Sequence, residues 1–374
     1  MKILELTNYS SGICGVWQRV RQESLELSKQ GHEVMIFSSN ATKGSDKIAS
    51  SEDRIINIRI KRFPFKKLGG ESFMFWGFKK QALKFRPDII ITHSYRHPHT
   101  IKALKIKNKL RKQGKNCKVF LVTHGPFIKN DSTRSFLAKL VVNFYDRFIA
   151  PTKFKKFDKI ITVAKWEIPY LLSFGCKKEK ISCIPNSIPE EFFKSKTKRG
   201  EWILFLGRIA EVKNLETLIK SIVFINKKVK LDIMGPAEKH YKNKLINLIN
   251  SLKINKQINF LPPVYDLKEK IKIIDNHEFI ILPSKYESFG FVLLEAMARK
   301  KLVISSKTQG GKEIIKDGIN GFLFDIRNEK QLAKIMNKIQ DLSEKEKNKI
   351  KKQARRFAEK FKCKNLIKLL ENLF

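Results

Sequence analysis

A chain of 374 residues is too long for one ordinary hydrophobic core and fits two domains best. Its 77 basic and 36 acidic side chains give a net charge of +41, which favours a polyanionic partner such as a nucleotide, a nucleic acid or an anionic membrane; lysine-rich compositional bias explains the charge equally well. No stretch approaches the ~20 apolar residues of a membrane-spanning helix, and five scattered cysteines without a Cys-x-x-Cys pair argue against a disulfide framework and a structural zinc site.

The first predicted element is a β-strand that contains Glu5. An acid interrupts the apolar run at the place where a secretory signal would be apolar, so we expect the protein in the cytosol. Short apolar runs then alternate with longer helical patterns, which predicts parallel sheets covered by helices. The strands predicted in the first half cover residues 3–6, 34–38, 55–60, 88–92, 119–123 and 159–163, and the helices cover residues 16–29, 72–84, 100–112 and 135–148.

The loop between the first strand and the first helix, residues 8–15, contains Gly12 and Gly15. Glycine lets the backbone approach a phosphate closely, and the N-terminus of the following helix favours an anion. The loop does not match the G-x-G-x-x-G fingerprint, and no acid closes the second strand, so we do not expect a dinucleotide site. Ordinary turn chemistry explains this loop as well as phosphate binding does.

A charged segment with a proline, residues 189–200, has the composition of a linker. After it the alternation restarts, with strands predicted over residues 202–206, 229–234, 258–261, 279–282 and 302–305. The chain is therefore predicted to hold two doubly wound domains in tandem that meet near residue 190. Ligands of such domains bind at the carboxyl ends of the strands, so we expect the functional motifs there.

A glycine turn after the strand over residues 202–206 presents Arg208 and, five residues later, Lys213. Arginine offers a forked donor and lysine a compact charge, and two such cations beside helix amides suit a diphosphate. In a chain this basic, one arginine near one lysine is unremarkable by composition. Their place at a strand end favours the functional interpretation.

Two glutamates follow the strand over residues 279–282. A helix is predicted from about Phe289, capped by Ser288, so that Glu287 lies in the loop and Glu295 inside the helix. Eight positions along a helix span more than ~10 Å, too far for the two carboxylates to share one proton. They are better suited to bind separate hydroxyl groups, because a carboxylate accepts two hydrogen bonds from a vicinal diol.

The backbone amides around Phe289, Gly290 and Phe291 are predicted to face a phosphate. The alternative makes Glu287 a surface acid that complements the helix dipole and Glu295 a solvated helix residue. The apolar neighbours of Glu295 instead predict a largely buried helix, in which an acid requires a partner.

These motifs together resemble the retaining GT-B glycosyltransferases, and more narrowly the large family (group 1, or family 4) of bacterial mannosyl- and glucosyltransferases with a Glu-x7-Glu signature. The similarity covers nearly the whole chain. It rests on the Glu-x7-Glu stretch, the Gly-Arg…Lys turn and the segments at residues 31–34, 184–187 and 310–322.

The resemblance implies an α/β chain with the GT-B fold, in which two Rossmann-like doubly wound domains face each other across a deep cleft. Residues 1–187 would form the acceptor-binding domain and residues 188–356 the nucleotide-sugar-binding domain. Residues 357–374, whose apolar spacing predicts an amphipathic helix, would cross back to the first domain.

The resemblance also implies a role for each candidate residue. Glu287 would contact the hydroxyls of the donor sugar, and Glu295 would hold the ribose diol. Arg208 and Lys213 would neutralise the diphosphate leaving group. Ser288, Phe289, Gly290 and Phe291 would line the nucleotide site, with the backbone of Gly15 approaching the diphosphate. His124, in a Thr-His-Gly at a strand end, would contact the sugar or the acceptor, although such a histidine taken alone is more often structural.

The implied reaction transfers a hexose from a UDP- or GDP-linked sugar with retention of configuration and no cofactor. The sequence has no Asp-x-Asp and no acid–histidine cluster with metal-ligand spacing. We therefore expect no metal, with Arg208 and Lys213 stabilising the departing phosphate. Leaving-group assistance, in which the donor phosphate takes the acceptor proton, is the expected mechanism.

The acceptor is expected on the first domain, as a glycan or a lipid-linked saccharide of cell-envelope synthesis. Residues 59–68 and the aromatic residues between 73 and 78 form a basic, aromatic segment that suits a membrane interface. This predicts a peripheral enzyme on the inner membrane face. The apolar residues of the helix over 135–148 are interpreted instead as core.

Two alternatives remain open. A nucleotide-sugar epimerase of the same two-domain architecture would also hold a nucleotide sugar, but it would need no acceptor. A nucleic-acid-binding protein would explain the charge, but not the two motifs at the strand ends.

Overall fold

The computed structural model describes residues 1–12, 14–69, 73–127, 136–194, 202–226 and 229–374. The chain divides into two compact units, Met1–Ser187 together with Cys363–Phe374, and Ile188–Lys362. The terminal segment that groups with the first unit therefore begins at Cys363, later than the predicted residue 357. The turn before it stays with the second unit, where the ring of Phe361 packs edge-on against Phe289.

The first unit is a mostly parallel sheet covered by helices. Its strands are β1 (Lys2–Leu6), β2 (Glu33–Ser39), β3 (Glu52–Ile55), β4 (Ile58–Phe63), β5 (Phe65–Lys67), β6 (Met74–Trp76), β7 (Ile89–His93), β8 (Lys118–Val122), β9 (Lys159–Thr162) and β10 (Ile181–Cys183). Its helices are α1 (Gly15–Lys29), α2 (Lys79–Phe85), α3 (Pro98–Lys112), α4 (Phe136–Phe144), α5 (Ala150–Phe154) and α6 (Ile168–Ser173). Among the described residues the sheet order is β10-β9-β8-β7-β1-β2-β4-β3, with β3 antiparallel to β4 and β5 pairing separately with β6.

Strand β7 shows why this sheet is covered on both faces. All of its residues are buried, and three consecutive isoleucines interrupt any alternation of polar and apolar side chains. Continuous β-branched runs of this kind are typical of central strands in parallel sheets. Strand β1 pairs with β2 on one side and β7 on the other. The strand order therefore reverses at β1, where the loops that follow β1 and β7 open at the same edge of the sheet.

The strand predicted over residues 55–60 is partly wrong, because β4 begins only at Ile58. Ile56 adopts a positive φ of 54° and, with Asn57, forms a two-residue turn, so that Ile55 pairs with Ile58 across an antiparallel hairpin. The turn was missed because four isoleucines fill most of residues 55–60, and Asn57 is the only residue typical of turns among them. Ile56 lies exposed at the tip of the turn.

The helix predicted over residues 72–84 is also partly wrong, and its first residue lies outside the described residues. Strand β6 occupies its first half and pairs with β5, and α2 begins only at Lys79. The aromatic spacing that suggested a helix instead serves sheet packing, with Trp76 stacked on Phe63. The helix predicted over residues 135–148 is found as α4, followed by a π-helical turn, Tyr145–Ile149.

The second unit repeats the architecture with a wholly parallel sheet. Its strands are β11 (Trp202–Leu206), β12 (Leu231–Met234), β13 (Ile258–Leu261), β14 (His277–Leu282), β15 (Leu302–Ser306) and β16 (Phe322–Phe324). Its helices are α7 (Leu215–Ile222), α8 (Lys239–Ser251), α9 (Leu267–Asp275), α10 (Phe291–Ala298), α11 (Gln309–Ile314), α12 (Glu329–Asp341) and α13 (Glu344–Ala358). Within the described part of this unit the order is β13-β12-β11-β14-β15-β16. The order reverses at β11, and the loops after β11 and β14 therefore emerge side by side.

Helix α14 (Cys363–Glu371) packs against α1 in the first unit. Its buried face consists of Cys363, Leu366, Ile367 and Leu370, and Leu369 is exposed on the other side. This pattern is that of the predicted amphipathic helix. None of the helices formed by the described residues is long and apolar enough to cross a membrane.

Gly235 brings the loop after β12 against the loop after β11. A Cβ built on it would lie 1.9 Å from the carbonyl oxygen of Gly207, and its φ is +146°. Neighbouring hydrogen bonds, Gly207 N to Met234 O at 3.0 Å and Ile209 N to Pro236 O at 2.8 Å, hold the two loops together. This contact fixes the backbone from which Arg208 projects.

We expect Gly235→Ala to destabilise the second unit by about 3 kcal/mol, because it adds both backbone strain and a steric clash. Gly318→Ala is the control, since Gly318 has a positive φ of 72° but no atom near the added carbon, and it should cost only about 1 kcal/mol. Urea unfolding followed by tryptophan fluorescence measures both values once Trp17, Trp76 and Trp166 of the first unit are replaced by phenylalanine in every variant, so that Trp202 of the second unit alone reports. Equal costs for the two variants would contradict the proposed contact.

Candidate active site

The loops after β11 and β14 are joined by backbone contacts. Lys285 N donates to Val212 O at 2.9 Å, and the side-chain amide of Asn214 donates to Pro283 O at 3.0 Å. Asn214 occupies a left-handed backbone conformation between the short turn Glu211–Lys213 and α7. The two predicted motifs, more than 70 residues apart in sequence, thereby lie together because their strands are neighbours in the sheet.

Lys213 and Glu287 form the central contact of this site. The Nζ of Lys213 lies 2.6 Å from Oε2 of Glu287, and the two side chains are 19% and 17% exposed. A charge-assisted hydrogen bond of this length in a partly buried place is stronger than a surface ion pair. The ammonium group has three donors, so it can bind a phosphate oxygen while it holds Glu287.

Arg208 has a weaker partner, Glu238, which sequence reasoning missed. The Nη1 of Arg208 lies 3.2 Å from Oε1 of Glu238, and both side chains are about half exposed, at 47% and 51%. Exposed pairs of this kind contribute little free energy, because water solvates both charges. The guanidinium is therefore able to exchange Glu238 for an anionic ligand at small cost.

The predicted cap of the helix after β14 is wrong. Helix α10 begins at Phe291, and its N-cap is Gly290 in a left-handed conformation rather than Ser288. Glycine accepts the φ of 88° that starts the helix here. Phe289 is buried, whereas Ser288 and Phe291 are partly exposed. The amides at the start of α10 thus follow a glycine turn, as the phosphate interpretation requires.

Glu295 is fully buried on α10, so the interpretation of it as a solvated helix residue is wrong. Its carboxylate contacts Nζ of Lys270 on α9 at 2.6 Å. Lys270 was not identified from the sequence, because its only signal was a lysine on an amphipathic helix. Glu287 and Glu295 have different cationic partners, and this supports separate roles.

Gly310 supports the loop that carries Glu287. Its amide donates to Glu287 O at 2.8 Å, and a Cβ on it would lie 2.7 Å from Phe289 N. Helix α11 starts here, capped by Thr308, whose hydroxyl accepts from Gly311 N at 3.1 Å. The double glycine of the sequence therefore permits close packing of two backbones.

In the first unit, Gly15 is exposed at the start of α1, where the sequence predicted a helix N-terminus. The preceding loop is held firmly. A Cβ on Gly12 would lie 2.2 Å from Lys43 O, and Arg62 donates to Ser10 O at 3.1 Å. Ile13 lies outside the described residues. The free amides of this helix start are available to an anion.

His124 has a partner that sequence reasoning missed. Its Nε2 lies 2.9 Å from Nδ1 of His93, and Nε2 of His93 lies 2.7 Å from Oε2 of Glu5. Burial, together with His93, lowers the pKa of His124 well below its ordinary value. The sequence contained a signal for this contact. His93 is the last residue of β7, and His124 follows the end of β8, which pairs with β7.

The fold also assembles an acid–histidine cluster that no sequence spacing shows. Among the described residues one group of three could hold a metal ion, Glu5, Glu23 and His93, with candidate ligand atoms within 4.8 Å of one another. They come from β1, α1 and β7, so they are far apart in sequence. The guanidinium of Arg19 lies 3.0 Å from Glu23, and its positive charge disfavours the binding of a metal cation by this cluster.

The structure reverses the assignments of the two apolar segments of the first unit, because most of the one expected on the surface is buried and the one interpreted as core is exposed. In the first segment Phe63, Trp76 and Phe78 are core, although Phe73 and Phe75 are exposed. The residues of α4 and the π-helical turn, interpreted above as core, instead lie on the surface. Their exposed side chains, 50–73% accessible, are Leu137, Leu140, Val141, Phe144 and Phe148.

Two family models match the chain in succession. One described as Glycosyltransferase Family 4 matches residues 13–192, and one described as Glycosyl transferases group 1 matches residues 187–357. The chain is 28% identical over 344 residues to an uncharacterized glycosyltransferase of Methanocaldococcus jannaschii, a match that covers 84% of this chain and 83% of that protein. The chain belongs to the glycosyltransferases. The predicted enzyme class is thereby confirmed.

Two further similarities concern a relative and the fold of this glycosyltransferase. The chain is 27% identical over 222 residues to a protein of Campylobacter jejuni, in a match that covers 57% of this chain and 60% of that protein. That protein is named N-acetylgalactosamine-N,N'-diacetylbacillosaminyl-diphospho-undecaprenol 4-alpha-N-acetylgalactosaminyltransferase. HepE of Anabaena, solved in complex with UDP and glucose, superposes with a TM-score of 0.76 at 17% identity, covering 100% of this chain and 98% of that one. The predicted GT-B fold is confirmed by this likeness.

We expect Lys270→Met to destabilise this glycosyltransferase by about 3 kcal/mol, because it removes the cation that faces the buried carboxylate of Glu295. The double variant Lys270→Met/Glu295→Met should recover most of this loss, since two apolar side chains of similar size replace the pair. Denaturant unfolding of the two single variants and the double variant gives the coupling free energy. Additive effects would show that the contact carries no free energy.

Proposed function

We propose that this glycosyltransferase moves a hexose from a nucleoside-diphosphate sugar to a glycan or lipid-linked acceptor of the cell envelope, with retention of configuration. The observation that carries the proposal is the contact of Lys213 with Glu287 beside the loop of Arg208. This contact supports the proposal, because a carboxylate can bind sugar hydroxyls, an ammonium group can bind a diphosphate, and both lie at the strand ends where α/β sheets bind ligands.

The leaving group is stabilised by charge in this proposal. Arg208 turns from Glu238 to the diphosphate, and Lys213 shares its donors between Glu287 and a phosphate oxygen. In the second unit the backbone amides after Gly290 are donors for a phosphate, and in the first unit the backbone amides at Gly15 are donors of the same kind. Two cations supply the electrostatic stabilisation that a divalent metal provides in other enzymes, so no metal is needed for departure.

The carboxylates hold the donor at two places. Glu287 accepts hydrogen bonds from hydroxyls of the transferred sugar, and Glu295 binds the ribose. Because Glu295 has no exposed surface, ribose binding there requires the ammonium of Lys270 to move aside. His124 contacts the sugar or the acceptor from the first unit. The donor phosphate takes the acceptor proton, which accounts for retention without a nucleophilic side chain.

Two similarities support the substrates. HepE, a structural neighbour, was solved with UDP and glucose, which favours a UDP-linked hexose as donor. The Campylobacter relative is named for a diphospho-undecaprenol substrate, which favours a lipid-linked acceptor. An epimerase of the same architecture would convert the donor alone, so analysis of products with and without acceptor distinguishes the two activities.

We expect Glu287→Gln to lower kcat roughly 100-fold, because it weakens contacts made in the transition state. Glu295→Gln should instead raise the KM for the donor by about tenfold with kcat largely kept, since one hydrogen bond to a charged group is lost. Steady-state kinetics with UDP-glucose and a lipid-linked saccharide measure both.

The control for these two variants is Glu211→Gln, which changes an exposed acid on the turn that contains Lys213. It removes a negative charge from the same loop and should change neither parameter more than about twofold. Full transferase activity in Glu287→Ala would contradict the role of Glu287.

We further propose that the exposed apolar residues of α4 and the π-helical turn bind an anionic membrane. Leu137, Leu140 and Phe144 recur at helical spacing on an exposed element. Basic residues lie among and after them, at Lys139, Arg147, Lys153, Lys155 and Lys156. An apolar stripe with cations beside it suits the headgroup region of an anionic bilayer, where a lipid-linked acceptor would be found.

Flotation with vesicles containing phosphatidylglycerol tests this surface at physiological salt. The triple variant Leu137→Ser/Leu140→Ser/Phe144→Ser should lose at least about tenfold in vesicle affinity, because three side chains no longer enter the bilayer. Leu172→Ser/Leu369→Ser, which changes exposed leucines elsewhere on the first unit, should bind as the unchanged protein does. The membrane proposal is wrong if the unchanged protein stays with the unbound fraction.

A further inference from the structure

Behind His124 the first unit contains a buried group of charges with an unusual composition. Glu5 and His93 have no exposed surface, and Glu23 and Arg19 are nearly as inaccessible. Arg19 supplies the guanidinium of this group, and its Nε donates to Oε2 of Glu23 at 3.0 Å. A second buried negative charge would lack a counter-ion, so one of the two carboxyl groups must carry a proton.

The position of that proton follows from the hydrogen bonds. Within the described part of the chain, neither Oε1 of Glu5 nor Oε1 of Glu23 receives a hydrogen bond from a donor group, and carboxylate oxygens of the two side chains lie within 4.8 Å of each other. Two ionised carboxylates at this distance in the interior would repel, whereas a proton on one of the two Oε1 atoms relieves the repulsion and supplies a hydrogen-bond donor to the pair. Burial raises the pKa of Glu5 to about 8 and that of Glu23 to about 7, in agreement with a shared proton at neutral pH.

The remaining oxygen of Glu5 then determines the tautomers of both histidines. The shared proton lies on an Oε1 atom, so Oε2 of Glu5 is an acceptor. Nε2 of His93, which lies 2.7 Å from this Oε2, must therefore carry a hydrogen. Nδ1 of His93 is consequently an acceptor and receives the hydrogen of Nε2 of His124, 2.9 Å away. Nδ1 of His124 carries no hydrogen in this tautomer, so it can accept a hydrogen bond from a donor group.

We propose that Glu5, Glu23 and His93 are positioning residues that hold His124 as its Nε2–H tautomer, so that Nδ1 accepts a hydrogen bond from a sugar hydroxyl. The last step rests on the proposed function, in which His124 contacts the sugar or the acceptor. The backbone of His124, at a φ of 60°, adds a second constraint on its orientation. Burial lowers the pKa of His93 to about 3, so the connecting imidazole stays neutral.

The first experiment reads the tautomers directly and needs no activity. Long-range nitrogen–proton NMR of the full chain with nitrogen-15-labelled histidine distinguishes Nδ1–H from Nε2–H rings, and His93→Gln and His124→Gln assign the two signals. We expect both rings to be neutral Nε2–H tautomers. An Nδ1–H ring, a doubly protonated ring or a metal-bound Nε2 of His93 would overturn the arrangement.

The second experiment tests the positioning role with two substitutions of Glu5. In Glu5→Gln the amide donates to Glu23 and its carbonyl accepts from His93, as the protonated acid does, so the tautomers are kept and kcat should change less than about threefold. Glu5→Leu removes the acceptor. It should release the tautomer of His93 and lower kcat by about 10- to 100-fold, as loss of an orienting partner does, with the donor KM unchanged.

The outcomes separate this inference from the proposed function. Wild-type tautomers in Glu5→Leu, or equal losses in Glu5→Gln and Glu5→Leu, would overturn the positioning role. Should Glu5→Leu fail to fold, Glu23→Gln serves instead, because its amide donates to Glu5 and must preserve both tautomers and kcat. Full transfer by His124→Ala would overturn the role of His124 in the reaction, while the NMR spectrum would still test the hydrogen-bonded chain behind it.

Discussion

The position of β11 between β12 and β14 controls the geometry of the candidate active site. Parallel neighbours end at the same edge of a sheet, so the loop with Arg208 and Lys213 emerges beside the loop with Glu287. One backbone hydrogen bond and one from the side chain of Asn214 then join the two loops, and close glycine contacts hold them from either side. The 2.6 Å contact between Lys213 and Glu287 results from this strand order.

In both units, buried or partly buried glutamates lie in contact with a lysine or an arginine. Glu295 meets Lys270, Glu287 meets Lys213, and Glu23 meets Arg19. In a chain with a net charge of +41, the few internal carboxylates thus have local partners, and the basic excess lies elsewhere. Glu5 departs from this pattern, because it is buried without a cation of its own, and a shared proton with Glu23 takes the place of a salt bridge.

Particular elements show where sequence patterns succeed and where they fail. Strand β11 was predicted to the residue, since a continuous apolar run bounded by polar residues specifies a buried strand. The run of isoleucines around Ile56 has the same appearance but contains a turn. Helix α4 was assigned to the core because apolar spacing alone does not tell which side of a helix another element covers, and its apolar residues are exposed.

The sequence by itself determined the two doubly wound units, the strand-end positions of Arg208, Lys213 and Glu287, the position of Glu295 inside a helix, and the resemblance to glycosyltransferases. Each of these depends on local order along the chain. Only the tertiary structure decided the partners. Lys270, Glu238 and the chain from Glu23 to His124 join residues from separate elements. Such contacts depend on which strands lie side by side, and no spacing within a single segment encodes that arrangement.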